Sequence, residues 1–416
     1  MKADLDILMQ SRNLDALLIF GNAENNPPMT YLTGGGHVSG ATLIKKKAED
    51  AVLFCNGMER DEAAKSGLNV HLYDEYPWQD LLTEAGGDTA LMSALRLKRI
   101  FDDMGISGRV AIYGHTDLSS MFAMLNHFQR IMPGVELIGE TRENSLFMLA
   151  METKDESEVA HIRAMGKTTT EVVRLTAEYL TSRPVNAEEV LLNENGAVLT
   201  LGEVKAKINL WLAERSAVPS EGFIFAIGRD AGVPHSQGNP GDLMRLGQTI
   251  VFDIYPQEQG GGYFYDFTRT WSLGYATPQA QKLYDQVHNV YQKIIENLDL
   301  NAKFKEYQNL TCELFEKDGH PTPRTHKAPL EGYIHSLGHG VGLNIHERPW
   351  SGATATDDNL LRPGVVMTIE PGLYYPEQGM GFRIEDTYWV RQDGVIELLA
   401  DYPYDFVLQM KNWKGK

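Results

Sequence analysis

Asp253 and Asp266 lie in two consecutive strand-like runs, TIVFDIYP (249–256) and GYFYDFTRTW (262–271). An antiparallel pairing that sets the two aspartates opposite each other centres between Gln259 and Gly260, inside the Gly-rich turn 257–262. A hairpin with both carboxylates on one face is therefore self-consistent. Glu370 and Glu385 repeat the pattern in VVMTIEPGLYY (365–375) and GFRIEDTYWV (381–390), centred inside the turn 376–379. Side chains opposed on a hairpin share one face, with Cβ atoms ~5 Å apart. The flanking residues Phe252, Ile254, Phe267, Ile369 and Ile384 are apolar, and like charges held that close in such a setting demand a counter-charge. The two hairpins also stand at nearly equal separation along the chain, as two related halves about a pseudo-twofold axis would. Four converging carboxylates would neutralise two divalent cations, and hard oxygen ligands suit Mn²⁺, Mg²⁺, Fe²⁺, Co²⁺ or Zn²⁺. Two such ions ~3.5–4 Å apart activate water for hydrolysis.

The histidines extend this reading. His339 sits between glycines in SLGHGVG, His335 shortly before it, and His346 shortly after it in IHERP. His235 follows in kind within GRDAGVPHSQ, on a loop. One imidazole completes a four-acid, one-His ligand set, and the others remain for substrate hydrogen bonds and proton transfer near neutral pH. The eight other histidines, among them His37, His71, His115 and His127, read as structural; His320 and His326 in GHPTPRTH are a weaker binding-loop reading. Phosphate-loop chemistry is excluded, because GGGH (34–37) and GGG (260–262) lack the strand–loop–helix context and its Lys. There is no GxSxG nucleophile elbow. Cys55 and Cys312 are too few and too far apart for a disulfide framework or a CxxC motif.

The chain that must position these groups has 416 residues, 43 % hydrophobic and 23 % charged, an ordinary globular composition with room for two or three domains. A net charge of -18 argues against nucleic acid or membrane as partner. The start, MKADLDILMQ, has no apolar stretch of signal-peptide length, and no window approaches a membrane span. A soluble cytoplasmic protein is expected. In the first 150 residues, helices at 3–12, 76–105 and 117–130 alternate with buried strands at 16–20, 41–45, 51–55 and 109–113, an α/β layer domain. A boundary falls near 150. Thr153 with Glu156 reads as a capping box opening a long helix with Val159, Ile162, Met165, Val172 and Val173 inside, closed by Arg183-Pro184. Asn186 with Glu189 caps a second helix and Thr200 with Glu203 a third, running to about 215. Strands follow at 223–227, 249–256, 262–271, 333–337, 365–375 and 381–390, with a helix-forming stretch at 277–317. The expectation is an α/β domain at 1–150 and an α+β domain at 151–416.

FDIYP, GYFYDFTRTW, HSLGHGVGLNIHERP, TIEPGLYY and RIEDT together resemble the metallopeptidases of the pita-bread fold, the M24 type that includes aminopeptidase P, prolidase and methionine aminopeptidase. The resemblance is strong from about residue 150 to the end, and the first 150 residues resemble the creatinase-like amino-terminal domain of aminopeptidase P and prolidase. It implies two divalent ions per subunit, Mn²⁺ first with Co²⁺, Zn²⁺ and Fe²⁺ as alternatives. Asp253 would bind one ion, His339 and Glu370 the other, and Asp266 and Glu385 both. Glu370 would be the general base. His235 and His346 match the substrate-contacting, proton-handling histidines, His335 matches one beside the proline pocket, and Arg383 would orient a carboxylate and contact substrate. The implied reaction is hydrolysis of the bond before proline in peptides with a free amino terminus, by an Xaa-Pro aminopeptidase or dipeptidase, with a homodimer as the family expectation. The family usually spaces its two aspartates more closely, so 258–262 reads as an insertion that lengthens the hairpin. The alternatives are a metal-dependent lyase or other C–N hydrolase on this fold, or a non-catalytic binding protein.

Overall fold

The continuous apolar runs of the first 150 residues build a sheet covered on both faces, as buried strands of α/β layers require. The computed structural model describes residues 4–413 and Gly415. Its first compact unit comprises residues 1–151 with 260–262, its second 152–259 with 263–416. In the first unit, strands β1 (Ala16–Gly21), β2 (Ala41–Lys46), β3 (Ala51–Cys55), β4 (Asn69–Leu72), β5 (Gly108–His115) and β6 (Val135–Ile138) form one sheet of order β4-β3-β2-β1-β5-β6. β1 runs parallel to β5 and antiparallel to β2. The helices are α1 (Asp4–Ser11), α2 (Pro27–Thr33), α3 (Arg60–Ala64), α4 (Trp78–Glu84), α5 (Thr89–Met104), α6 (Leu118–Ile131) and α7 (Leu146–Ala150). Leu18, Phe20, Ile44 and Phe54 of the sheet pack with Leu97, Phe101 and Phe128 of α5 and α6. The helix expected at 3–12 is α1, residue 3 lying outside the described residues. The single helix expected over 76–105 is two, because Gly86 and Gly87 adopt left-handed backbone and break it. The short strands β4 (NVHL) and β6 (VELI) carry polar residues and give no apolar run to read.

The second unit opens with α8 (Glu156–Ser182), followed by α9 (Leu201–Ala213), α10 (Pro278–Glu296) and α11 (Phe304–Lys317). The face of α8 formed by Val159, Ile162, Met165, Val172 and Val173 is buried, as expected. Its capping box is shifted from the expected pair: Asp155 is the N-cap and Glu158 the reciprocal partner, while Thr153 is drawn into a bridge with Val365. No helix follows Asn186. Its carboxamide oxygen accepts from the amides of Glu188 and Val190, an Asx turn that competes with helix, and the segment forms the bridges Val185↔Leu191 and Leu192↔Val198. Thr200 and Glu203 do cap α9.

Strands β8 (Ile224–Ile227), β9 (Thr249–Ile254), β11 (Phe267–Leu273) and β19 (Val407–Leu408) make one sheet, while the two-residue strands β7 (Ala217–Val218) and β10 (Gln257–Glu258) pair separately. A five-stranded sheet holds β12 (His339–Gly340), β13 (Glu347–Trp350), β14 (Val366–Ile369), β17 (Asp386–Val390) and β18 (Ile396–Leu398). β15 (Gly372–Tyr375) and β16 (Met380–Arg383) form a hairpin of their own. The expected strand at 333–337 is absent. The amide of Leu337 donates to the Gln308 side chain of α11 at 2.6 Å and that of Tyr333 to Pro321, so this segment's hydrogen bonds go to tertiary partners rather than to a ladder.

The register of the first hairpin differs from expectation by two residues. Asp253 lies opposite Thr268, not Asp266. Because side-chain direction repeats every two residues, Asp266 still projects from the same face as Thr268 and so stays diagonal to Asp253. In the second hairpin Ile369 pairs with Asp386 and Gly372 with Arg383, which leaves Glu370 opposite Glu385, the arrangement expected. Both strand runs are interrupted at these glutamates. The amide of Glu370 donates to Leu337, and Glu385 exchanges backbone hydrogen bonds with Thr268 of the other hairpin. The Thr268↔Glu385 bridge thereby joins the two hairpins at the acids.

Candidate metal centre and active site

All nine residues singled out above line one cavity of about 480 Å³ in the second unit. Asp253, Asp266, Glu385, His339 and Arg383 are buried there. Glu370 keeps 14 % of its side chain exposed. His335 is half-buried, and His235 and His346 are exposed on the wall. One ligand atom from each of Asp266, His339 and Glu385 falls within 4.8 Å of the others.

His339 is placed by backbone that only glycine permits. A Cβ on Gly338 would lie 2.1 Å from the Thr368 carbonyl oxygen, and one on Gly340 would lie 1.9 Å from that of Arg348. The strand is thus clamped between β14 and β13, and the imidazole is left to face the acids. Its Nδ1 sits 3.1 Å from the Gly340 carbonyl oxygen, so Nδ1–H donates there and Nε2 carries the lone pair. Nε2 lies 3.4 Å from Glu370 Oε1 and 3.6 Å from Asp266 Oδ2. Burial, with His346 at a ring separation of 4.4 Å, holds the His339 pKa down to about 3. An unprotonated Nε2 facing carboxylates is the state a metal ligand requires.

The acids carry the opposite perturbation. Burial, then the charge of Glu385, raises Asp266 well above the ordinary carboxylate range. The same two causes raise Glu370. Burial and Asp253 push Glu385 up to about 8. Asp253 Oδ1, Asp266 Oδ1 and Glu385 Oε1 are buried without a hydrogen-bond partner among the described residues. Native interiors satisfy such atoms or bind something there. Divalent cations fit this donor set: they would both partner the three oxygens and offset the crowded charge.

The surroundings fix each acid. Arg383 donates to Asp253 Oδ2 through Nη2, to the Tyr374 hydroxyl through Nη1 at 2.6 Å and to Thr268 Oγ1 through Nε at 3.3 Å. The carboxylate that Arg383 orients is therefore Asp253. Thr268 Oγ1 in turn donates to Glu385 Oε2 at 2.7 Å. His335 donates through Nδ1 to the Ser336 carbonyl and accepts through Nε2 from the Tyr374 hydroxyl at 2.8 Å. His320 and His326 do not line the cavity; His320 bonds Tyr375 and Gln286.

Thr268 and Tyr374 escaped sequence reading, although the observed register points directly at Thr268 as the residue facing Asp253. So did Arg269, which is 1 % exposed. Its five N–H groups donate to the carbonyls of Thr268, Glu385, Tyr402 and Pro403 and to Asp386 Oδ1, all at 2.9–3.0 Å. Asp386 Oδ2 also accepts from the hydroxyls of Tyr291 and Tyr404. Behind His346, Lys154 Nζ and Glu347 Oε2 form a buried pair at 2.6 Å, and Glu347 Oε1 accepts from the Asn344 amide. Lys154→Met leaves that carboxylate buried and unpaired. It is expected to lower stability by about 3–5 kcal/mol, read from denaturant midpoints; an unchanged midpoint would refute the pairing.

Residues 160–392 match the model of metallopeptidase family M24, and residues 3–139 that of the creatinase/prolidase N-terminal domain. An Xaa-Pro dipeptidase of Pyrococcus horikoshii is 25 % identical over 391 residues, covering 93 % of each chain. Among solved structures, an Xaa-Pro dipeptidase from Bacillus anthracis aligns with a TM-score of 0.75 at 19 % identity, over 97 % of this chain and 98 % of its own. An X-Pro aminopeptidase from Thermotoga maritima aligns at 0.72 and 21 %, over 96 % and 99 %. The α/β unit followed by a pita-bread unit is the fold these structures share.

Proposed function

The chain belongs to metallopeptidase family M24, and from that premise we propose that it hydrolyses the peptide bond preceding proline at the second position of peptides with a free amino terminus. The observation that carries the reading is the convergence of four carboxylates and one unprotonated imidazole on a single cavity, with three buried carboxylate oxygens unpartnered. Xaa-Pro dipeptides are the first substrates to test, because the Pyrococcus relative named for them matches the chain almost end to end. In this reading residues 151–416 are the catalytic domain and 1–150 a creatinase-like amino-terminal domain.

Asp253 would hold one divalent ion, His339 and Glu370 a second, and Asp266 and Glu385 would lie between them. When bound, two such ions acidify water and polarise the scissile carbonyl. Glu370, whose carboxylate reaches the cavity, would take the proton of the attacking water and return it to the departing proline nitrogen. His346 and His235, exposed to the cavity, donate hydrogen bonds to the oxyanion that develops on the substrate carbonyl. His335, tethered to Tyr374, borders the proline ring, with Tyr255 and Trp350 as further walls. Arg383 aims Asp253 through its hydrogen bond to Oδ2, and its cavity edge can meet substrate.

Mn²⁺ is the ion proposed first. The cytoplasm is the compartment proposed, supported by two buried cysteines that are both free; a homodimer is proposed, and light scattering checks it. Chelation followed by dialysis is expected to abolish turnover of Xaa-Pro dipeptides, and Mn²⁺ or Co²⁺ to restore it. The panel should include Xaa-Pro-Yaa and Met-Ala-Xaa peptides and Zn²⁺. Full metal occupancy with no turnover of any peptide would reject the peptidase reading in favour of another C–N bond.

A further inference from the structure

The first unit holds a second cavity, of about 210 Å³. It lies where the order of the sheet reverses. From β1 the chain proceeds to β2, β3 and β4 on one side, then returns with β5 on the other. β1 and β5 are parallel, and the cavity is bounded by Phe20 and Gly21 at the end of β1 and by Thr116 just past β5. The antiparallel β2 begins at that same edge, where Gly40 and Thr42 close the side. In open α/β sheets, ligands bind in the crevice outside the carboxyl ends of the parallel strands at such a reversal.

The chemistry of the walls narrows the ligand. α5 contributes Arg96, whose guanidinium lies 4.1 Å from the centre of the Tyr73 ring. The Tyr73 hydroxyl donates to Thr42 Oγ1 at 2.8 Å, which steadies the ring beneath it. Lys98 and Arg99 on the same helix are paired with Asp102 and Glu84. Arg96 makes no ion pair among the described residues, and no carboxylate lines the cavity. Leu97 and Ile100 of the same helix and Met121 and Met124 of α6 supply apolar walls, and methionines adapt to irregular shapes. A half-buried cation that makes no ion pair among the described residues, in a chain of net charge -18, leaves a place for an anion. Its fork can grip a carboxylate bidentately while staying stacked on Tyr73. The volume is below the ~300–1,000 Å³ of sites for drug-sized ligands, so the occupant is small.

We propose that this cavity is a binding site for a small aliphatic carboxylate, its carboxylate held by Arg96 and its chain in the slot of Leu97, Ile100 and the two methionines. Isothermal titration of the full chain with 4-methylpentanoate, L-leucine and inorganic phosphate tests it. Saturable binding of 4-methylpentanoate is expected, weakened about tenfold or more by Arg96→Gln and blocked by Met121→Trp, which fills the slot with Arg96 intact. Asp266→Ala, in the other cavity, should leave this binding unchanged, and Arg96→Gln should leave peptide hydrolysis unchanged. L-leucine binding equally well assigns an amino acid as occupant, and its exclusion assigns an acid without an ammonium group; both uphold the site. No saturation by about 50 mM, equal affinity in Arg96→Gln, or phosphate binding as tightly as 4-methylpentanoate overturns it.

Discussion

Asp266→Ala is expected to lower peptide hydrolysis on the order of a thousandfold or more, the scale on which loss of a transition-state charge stabiliser is felt. The same variant should bind less metal per chain, because in the proposed ligand set Asp266 would serve both ions. Its stability should move in the opposite direction in chelator. Without metal, Asp266 is a buried acid facing Glu385, Asp253 and Glu370, whose charges and burial oppose its ionisation. Removing it relieves repulsion, so the metal-free variant should melt no lower than the metal-free parent chain, apart from the small effect of the lost side-chain volume. Adding Mn²⁺ should then stabilise the parent by about 2.7 kcal/mol at a hundredfold excess over Kd and the variant by much less. Metal analysis, turnover and thermal melts with and without chelator check the three statements separately. Full activity in the variant would dismiss the proposed ligand set.

Arg269→Met should produce the largest loss of stability. The guanidinium satisfies four carbonyl groups and Asp386 at once, and the rings of Phe267 and Tyr404 lie 4.2 and 4.3 Å from it. Methionine matches its bulk roughly but removes the charge that Asp386 faces, takes the donor from its Oδ1, and takes a donor from each of the four carbonyls. Breaking one buried ion pair alone costs about 3–5 kcal/mol. The effect should also reach the metal centre, since Arg269 grips the carbonyls of Thr268 and Glu385, the residues that join the two hairpins. Arg269→Lys keeps the charge but not the five-donor fork; it should fold with a lower denaturant midpoint and bind metal more weakly than the parent. Midpoints and metal titrations equal to those of the parent for both variants would show that the cluster neither stabilises the fold nor positions Glu385.

Much of this site was legible because its signals are local and periodic. Carboxylates interrupting apolar runs about a Gly-containing turn identify two acid hairpins, and period-two geometry puts each pair on one face. That arithmetic does not distinguish residues directly opposed from residues displaced by two, since both share a face, and Asp253 proved to face Thr268. The other misses have tertiary causes. Thr153 leaves its helix-capping role to pair with Val365, the Gln308 side chain takes the Leu337 amide, and the Asx turn at Asn186 displaces a helix. Arg269 carries no sequence signal of its own, because its carbonyl partners come from four separate residues.

The repeated register has an evolutionary consequence. Asp253 faces Thr268 in one hairpin as Glu370 faces Glu385 in the other. Two residues before the facing position stands Asp266 in the first and Arg383 in the second. If the halves descend from a duplicated ancestor, the copies have diverged at this position from like to opposite charge. One half now brings an extra anion and the other a cation that leans on Asp253. A twofold scaffold thus ends in an electrostatically lopsided cradle, with its two ends suited to a division of labour.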